Sequence, residues 1–574
     1  MTAEVPPIAE YNAFAPTDAL TSQQLLPAWG TLSLTAALGA CGGGGGSAAP
    51  NPTPPIALPL LPTAPEASRF LAQVAMGASQ TEIARVQSLG YAGWLDEQFA
   101  VPATGTRWEM LLQGGFTAVS FKSNAAGFDA VAWRKLIGGP DTLRQRIALA
   151  LSEIFVASVE GFTGGIWQQF AGAAYLDLLE ANAFGNYRTL LQQVTLSPPM
   201  GMFLTYRGNA KANPTTGALP DENYARELMQ LFTIGLVELN QDGTPKLDSV
   251  GKTTVAYTQS DITGLARVFT GWDFDLAGQT FANANATPDL VRRPMVQVAS
   301  RYESGAKSFL RTTIDAGTSA VQSLGQALDA IFAHANVAPF FCRQLIQRLI
   351  TSNPSPGYVS RVAAVFANDG TGTRGNLRAV VAALLLDNDA RSASVAAEPG
   401  FGKLREPMLR FTAWARAYGA TSPSGAWDVG NTSDPARALA QSPLRAPSVF
   451  NFFRPGYVPP NSAIASAALA APEFQITNES SVVGYVNFMQ RAVAGSLGDI
   501  TPDYTGLLAL ADDALALLAD INLVLAANQL SAATVSALEA AVQSMPSGTD
   551  ARRRNRVHAA LVLVLAAPEF IVQT

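Results

Sequence analysis

Histidine and cysteine are nearly missing from this chain, which has two of each in 574 residues. Cys41 and Cys342 cannot build a disulfide framework, and they offer no Cys-x-x-Cys spacing for zinc. With only His334 and His558, a metal cage or a relay that needs two or three imidazoles has almost no material. Charge is scarce too, at 14% of residues against 48% hydrophobic, which excludes global disorder and fits a large interior. The net charge is −6 and the pI about 5.2, so there is no broad basic surface to neutralise phosphates, and this argues against a nucleic-acid partner. A membrane-spanning helix needs about 20 apolar residues. The longest candidate near the end, "ALVLVLAA" (560–567), is too short and runs into Pro568, so it reads as a buried helix. There is no Gly-x-Ser-x-Gly elbow, no Walker phosphate loop, no His-Glu-x-x-His and no clean Gly-x-Gly-x-x-Gly after a strand. The loop "NDGTGTRGN" (368–376) lacks the carboxylates of a calcium hand. No metal or cofactor site is evident.

What is present begins with "TLSLTAALGACGGGGGSAAPNPTPP", a short apolar segment, then small residues up to Cys41, then a Gly, Ser and Pro linker. Leu38-Gly39-Ala40-Cys41 resembles a bacterial lipobox, which implies acylation of Cys41 and a lipid tether. Against this, the first forty residues contain no Lys or Arg, and Glu4, Glu10 and Asp18 make them acidic. The expected organisation is a signal-like segment (1–41), a Gly/Pro-rich linker (42–66), a main helical domain (67–495) and a C-terminal helical subdomain (496–574).

Helical signals dominate after the linker. Ser79 stands three residues before Glu82 as a capping box, Ile83, Val86 and Leu89 follow at helical spacing, and Gly90 is a stop. Thr258 and Asp261 repeat the box, with Ile262, Leu265 and Phe269 as the stripe and Gly271 as its end. In "NVAPFFCRQLIQRLI", Pro339 suits a first turn, and Phe341, Leu345 and Leu349 share a face with Cys342, which reads as a packed core residue. His334 reads as a hydrogen-bonding group at a helix start and His558 as a structural residue of the last helix. Ser531 and Asp550 are candidate caps near the end. The one strand signal is Asp242-Gly243 in "GLVELNQDGTPKL", a small ribbon between helices. The fold class is therefore mainly α.

"ENYARELMQLFTIGL", "YTQSDITGLARVFTGW", "GAKSFL", "HANVAPFFCRQLIQRLITSNPSP", "KLREPMLRFTAWARAYGA", "QSPLRAPSVFNFFRPGYVPPN" and the closing "AAPEFIVQT" follow one another in order. Over roughly residues 67–574 the chain resembles the bacterial family catalogued as domain of unknown function 1800. The resemblance implies an exported, mainly helical protein, periplasmic or at the outer membrane and cell surface. It also implies a partner, because such proteins are often encoded beside a second exported family, domain of unknown function 1501, whose members look sulfatase-like. Related sequences often carry His where this chain has Tyr302, before Glu303, and again near Asn478. Tyr and Asn can replace those imidazoles only if their work is hydrogen bonding.

The densest charge lies in "PDENYARELMQLFTIGL". Asp221 can cap a helix, and Glu222 and Arg226, four apart, can pair. Glu222 and Glu227 lie about 140° apart around a helix, so any two-carboxylate mechanism must recruit an acid from elsewhere. Antiparallel packing on the next helix would bring Arg226 or Glu227 near Asp261 or Arg267. Two readings stand. In one the charges form a buried salt-bridge network that fixes helix packing. In the other they floor a cleft in which Glu227 or Asp261 is the general acid or base and Arg226 or Lys307 holds an anionic group. Trp272, Asp273 and Glu303 are candidate ligand contacts, and Phe450, Phe452, Phe453 and Tyr457 cluster around Pro455-Gly456; such rings suit a sugar chain when exposed and a core when not. The expectation is an exported envelope protein that binds or helps assemble another exported protein or a surface polymer, membrane-attached only through lipid. The rival is an envelope hydrolase with a carboxylate/Arg cleft. An open pocket over Glu222, Arg226, Glu227, Asp261 and Lys307 would mark the enzyme; closed charges with a large apolar patch or groove exposed elsewhere would mark the binder. On either reading, Glu227→Gln is expected to hurt folding more than any activity.

Overall fold

The structure, a computed structural model, describes residues 61–574 apart from 163 and 165. Cys41 and its lipobox lie outside the described residues. The helices begin where short polar side chains can occupy free amides. Thr63 and Glu66 close a full capping box on α1 (Ala64–Val74). Ser79 caps α2 (Gln80–Ala100) by accepting from the Glu82 amide at 3.2 Å, but the Glu82 carboxylate turns away to accept from Trp94 Nε1 at 3.0 Å. Gly90, at φ 69°, breaks α2 as its sequence position predicts, yet the helix resumes at once across the kink. The helix therefore bends around Phe70 of α1, whose ring meets Trp94 edge-on at 5.4 Å.

The remaining helices that matter for the site are α3 (Thr142–Ile154), buried over nearly its whole length, and α4 (Asn223–Glu227), which runs on into a π-helical turn at Leu228–Thr233. They are followed by α5 (Gln259–Ala266), α6 (Ala320–Ala333), α7 (Val337–Leu349) and α8 (Pro407–Ala417). The series ends with α9 (Glu479–Val493), α10 (Ala514–Ala526) and α11 (Asp550–Ala566). Helix α7 packs on α3, α8 on α10, and α10 on both α1 and α11. The C-terminal helices thus close against the first one, and Pro62–Thr574 is one compact unit. Ser531 caps its helix as expected; on α11 the cap is Thr549, with Asp550 in the first turn. Phe341, Cys342, Leu345 and Leu349 are all buried, and burial pushes the Cys342 thiol well up.

Strands are short antiparallel pairs: β1 (Trp272–Asp273) with β2 (Val296–Gln297), β3 (Lys307–Phe309) with β4 (Thr312–Ile314), and β5 (Lys403–Leu404) with β6 (Val572–Gln573). The fold is mainly α. The Asp242-Gly243 ribbon is larger than its turn signal suggests. Residues 236–256 make three extended runs joined in a ring, with Lys246 N donating to Glu238 O, Glu238 N to Thr254 O and Thr254 N to Lys246 O. Two Asx turns, at Asp242 and Asp248, reverse the chain. The buried Asn336 ties the ribbon to the start of α7: it accepts from Leu239 N at 2.9 Å and donates to Val237 O at 2.7 Å.

Gly264 is the position where α5 touches β3, and a Cβ built there would stand 1.8 Å from the Ser308 carbonyl oxygen. Gly264→Ala is therefore expected to cost about 1–3 kcal/mol through overpacking. Gly325→Ala, in α6 with open space around it, should instead stabilise by about 0.5–1 kcal/mol. Urea melts of the two variants check this, and equal midpoints would contradict it.

Candidate functional site

Asp221 acts as its sequence predicts, accepting from Asn223 N at 2.7 Å, with its other oxygen held by Thr205. Helices α4 and α5 pack together, but the contacts across them are not carboxylate to arginine. Glu222 accepts from Gln259 Nε2 and from Thr263 Oγ1, each at 2.7 Å, and pairs with Arg226 at 3.3 Å. Arg226 in turn reaches Gln259 Oε1 at 3.3 Å. Asp261 is bound up in structure. One oxygen closes the capping box with Thr258 and the other accepts from Leu310 N at 2.7 Å, which pins the β3–β4 turn to α5. Burial works to raise the Asp261 carboxyl, but these donors outweigh it and hold it below the usual range.

Lys307 is buried, and its ammonium donates to Tyr302 Oη at 3.1 Å and Gly305 O at 3.0 Å while lying over the Tyr302 ring. Tyr302 Oη also meets Ser323 Oγ at 2.7 Å. Asn478 caps α9 through Ser481 N. Tyr302 and Asn478 are therefore both occupied in hydrogen bonding. Trp272 is buried, with Nε1 donating to Val268 O at 3.3 Å. Asp273 is held between Arg207 at 2.9 Å and Arg301 at 2.6 Å, and Glu303 pairs with Arg267 at 3.5 Å. Phe453 is buried, and its ring lies under the Arg348 guanidinium at 4.8 Å. His334 Nδ1 accepts from Asn336 N, the hydrogen-bonding role its position suggests, and the His558 ring packs edge-on against Tyr504. The structure thus joins Glu222 to Arg226, but Asp261 and Lys307 are engaged elsewhere.

Glu227 differs from the rest. It is 4% exposed, and its Oε2 is buried with no hydrogen-bond partner. Burial pushes its carboxyl up to about 7, with Arg226 opposing only weakly. It turns inward as expected, but no cation from α5 neutralises it, and it ends α4 where the chain widens into the π-helical turn. π-Helical turns are frequent at functional sites.

The densest ionic chemistry lies elsewhere and is assembled from five separate segments. Arg146 and Glu153 come from α3, Arg348 from the last turn of α7, Lys403 from β5, Glu406 from the residue before α8, and Glu473 from the 3₁₀ turn Pro472–Ile476. All six are buried. Lys403 Nζ lies 3.0 Å from Glu473, 3.3 Å from Glu406 and 2.9 Å from the Arg348 carbonyl oxygen. Arg146 donates to that same carbonyl at 2.5 Å. Gln441 donates to the second Glu406 oxygen at 2.7 Å, and Arg348 stands 3.5 Å from Glu153. Burial and the nearby Glu406 charge raise the Glu153 carboxyl well above its usual range. Burial would raise Glu406 too, but Lys403, Arg146 and Arg348 outweigh it and hold that carboxyl low. The two acids are therefore pushed in opposite directions, Glu153 toward the protonated form and Glu406 toward the charged one. Beside Glu153 is a cavity of about 10 Å³, lined also by Ser152, Ser442 and Asn451, large enough for one water.

Among the described residues no group of three or more His, Cys, Asp and Glu side chains could hold a metal ion, and no helix is long and apolar enough to cross a membrane. The molecule is a mainly α protein organised around a buried ionic cluster. The chain belongs to the family described as Protein of unknown function (DUF1800), which it matches over residues 69–572. No curated protein and no solved structure matches it.

Two substitutions test these assignments. Lys403→Met leaves Glu406 and Glu473 buried without their shared cation and is expected to cost about 3–5 kcal/mol in a denaturant melt. Glu227→Gln should act in the opposite sense, contrary to the expectation from sequence. The folded-state carboxyl is raised, so wild-type stability is full below the ordinary value of 4.5, falls as pH rises toward about 7, and is lowest above that. The variant should match wild type near pH 4 and exceed it by roughly 2–3 kcal/mol at pH 8. Urea melts at the two pH values decide the matter, and a variant weaker than wild type at pH 8 would refute this account.

Proposed function

We propose that this protein is an exported envelope protein that works by binding, acting with another exported protein or a surface polymer, and tethered through lipid on Cys41. The observation that carries the reading is the ribbon at 236–256. Leu247, Val250 and Val255 stand out from it at 59, 83 and 64% exposure, three exposed branched side chains within nine residues. Three such residues on one rigid projection cost free energy in water, and their common use is contact with a partner. Asn336 and the ring of backbone hydrogen bonds hold the projection in shape before any partner arrives, which lowers the entropy lost on binding.

The rival reading, an envelope hydrolase with a carboxylate/Arg cleft, needs acids free to meet a substrate. Asp261 has both oxygens engaged, Glu222 is bonded on both of its oxygens, Lys307 is buried on Tyr302, and Glu227, which has an unpartnered oxygen, is 4% exposed and closed off from a substrate. That arrangement supports binding over hydrolysis. The partner we propose is the sulfatase-like protein of domain of unknown function 1501.

The test is a double variant, Leu247→Ser with Val250→Ser. Both side chains are exposed, so the melting midpoint should stay within about 0.5 kcal/mol of wild type. Co-purification with the sulfatase-like protein should fall at least tenfold. Undiminished co-purification by a folded variant would remove the ribbon from the interface.

A further inference from the structure

Glu153 has hydrogen-bonding capacity that the ionic cluster does not use. Its side chain is buried, and neither carboxyl oxygen has a hydrogen-bond partner. Arg348 Nη1 stands 3.5 Å from Oε2, an ion pair but beyond good hydrogen-bonding distance. Asn451 is buried as well, and its Nδ2 also lacks a partner. Polar atoms left alone in an interior are costly, and each such atom calls for an explanation. These two residues are far apart in the chain, yet both line the cavity of about 10 Å³ beside the cluster. Backbone conformation shapes its wall: Leu444 and Asn451, which both line it, have left-handed backbones at φ 52° and 63°. Asn tolerates that region, whereas Leu is strained there. Strain of this kind persists where the surroundings dictate it, and it clusters at sites that hold a ligand. Both residues belong to the stretch 441–461, which also reaches the cluster through Gln441 on Glu406 and Phe453 under Arg348.

Charge decides the occupant. A cation in the cavity would stand near Arg348, and an anion would stand near the carboxyls of Glu153 and Glu406. A neutral molecule that both donates and accepts meets neither penalty, and the volume admits one water. The polar side chains of the wall suit it. Asn451 Nδ2 has protons to give, and Ser442 Oγ, which accepts from Thr432 N at 3.2 Å, has a proton of its own. Ser152 Oγ gives its proton to Leu149 O at 2.7 Å and keeps lone pairs, and the Glu153 oxygens offer more. A buried water usually makes about three hydrogen bonds, and this wall carries four polar side chains. We propose that the cavity binds one water molecule that bridges Asn451 Nδ2 to the Glu153 carboxyl and so ties the 441–461 stretch to α3. The site is independent of the ribbon and of any partner.

The experiment uses the full chain. A crystal structure at atomic resolution should show one isolated density peak in the cavity, within about 3.2 Å of Asn451 Nδ2 and of a Glu153 oxygen. Thermal midpoints are then compared for wild type, Asn451→Gly and Asn461→Gly. Glycine adopts a left-handed backbone without strain, so Asn451→Gly keeps the turn and removes the amide. Asn461, at φ 55° and exposed, makes the same exchange away from the cavity and reports the backbone effect alone. Asn451→Gly should melt about 2 °C or more below Asn461→Gly, because it strips the water of a donor beside a buried carboxyl. If Asn451→Gly does not fold, the density in wild type decides alone. An empty cavity, a peak bonded to the serines but not to Asn451 and Glu153, or equal midpoints for the two variants would overturn the proposal.

Discussion

One ammonium group organises the interior. Lys403 Nζ touches two carboxylates and one carbonyl, and each belongs to a different part of the chain: Glu406 at the start of α8, Glu473 in the 3₁₀ turn and Arg348 at the end of α7. The same Arg348 carbonyl receives Arg146 from α3, and its guanidinium faces Glu153 of α3. Four separate parts of the chain are thereby fixed at one point. Removing any member strands charge in a medium that cannot solvate it, so the cluster is more costly to break than it is stabilising to form.

The fold was legible from the sequence to the extent that it depends on local rules. Thr258 with Asp261, Ser79, Gly90 and the Phe341–Leu345–Leu349 stripe all act near the residues that announce them. The ribbon was half legible. Asp242-Gly243 marks one turn, whereas the second turn at Asp248 and the ring of hydrogen bonds depend on the third run, 252–256, folding back. The ionic cluster was not legible, because Glu153, Arg348, Lys403, Glu406 and Glu473 stand in unremarkable surroundings and converge only in three dimensions. Charge density along the sequence points instead to residues 221–227, where the charges are dense because a helix start and an interhelical contact both fall there. The inward direction of Glu227 is legible on a helical wheel, but its lack of a cation is not.

The two polar regions solve different problems. Around α4 and α5, carboxylates near the surface are satisfied by hydroxyls, amides and backbone N–H groups, which suits places where water remains close. In the interior, formal charges answer formal charges, and Glu153, whose one cation stands 3.5 Å away, is pushed toward its protonated form by burial and the Glu406 charge. Glu227 follows the interior rule although it lies in the outer region, since it too is held toward the protonated form by burial.

Ion pairs of this kind are seldom more stabilising than apolar residues of the same volume, so their presence calls for a reason other than stability. Register supplies one. Lys403 pairs with Gln573 and Leu404 with Val572 at the very end of the chain, in a two-residue ladder too short to fix its own alignment. The contacts of Lys403 to Glu406, Glu473 and the Arg348 carbonyl fix β5 on α7 and α8, because turning Lys403 outward would bury two carboxylates with no cation. The tail is then aligned on that strand by Gln573, which donates to the Leu349 carbonyl at 2.8 Å, at the end of the helix that carries Arg348. Charge is suited to holding the strand because its cost when misplaced is so large.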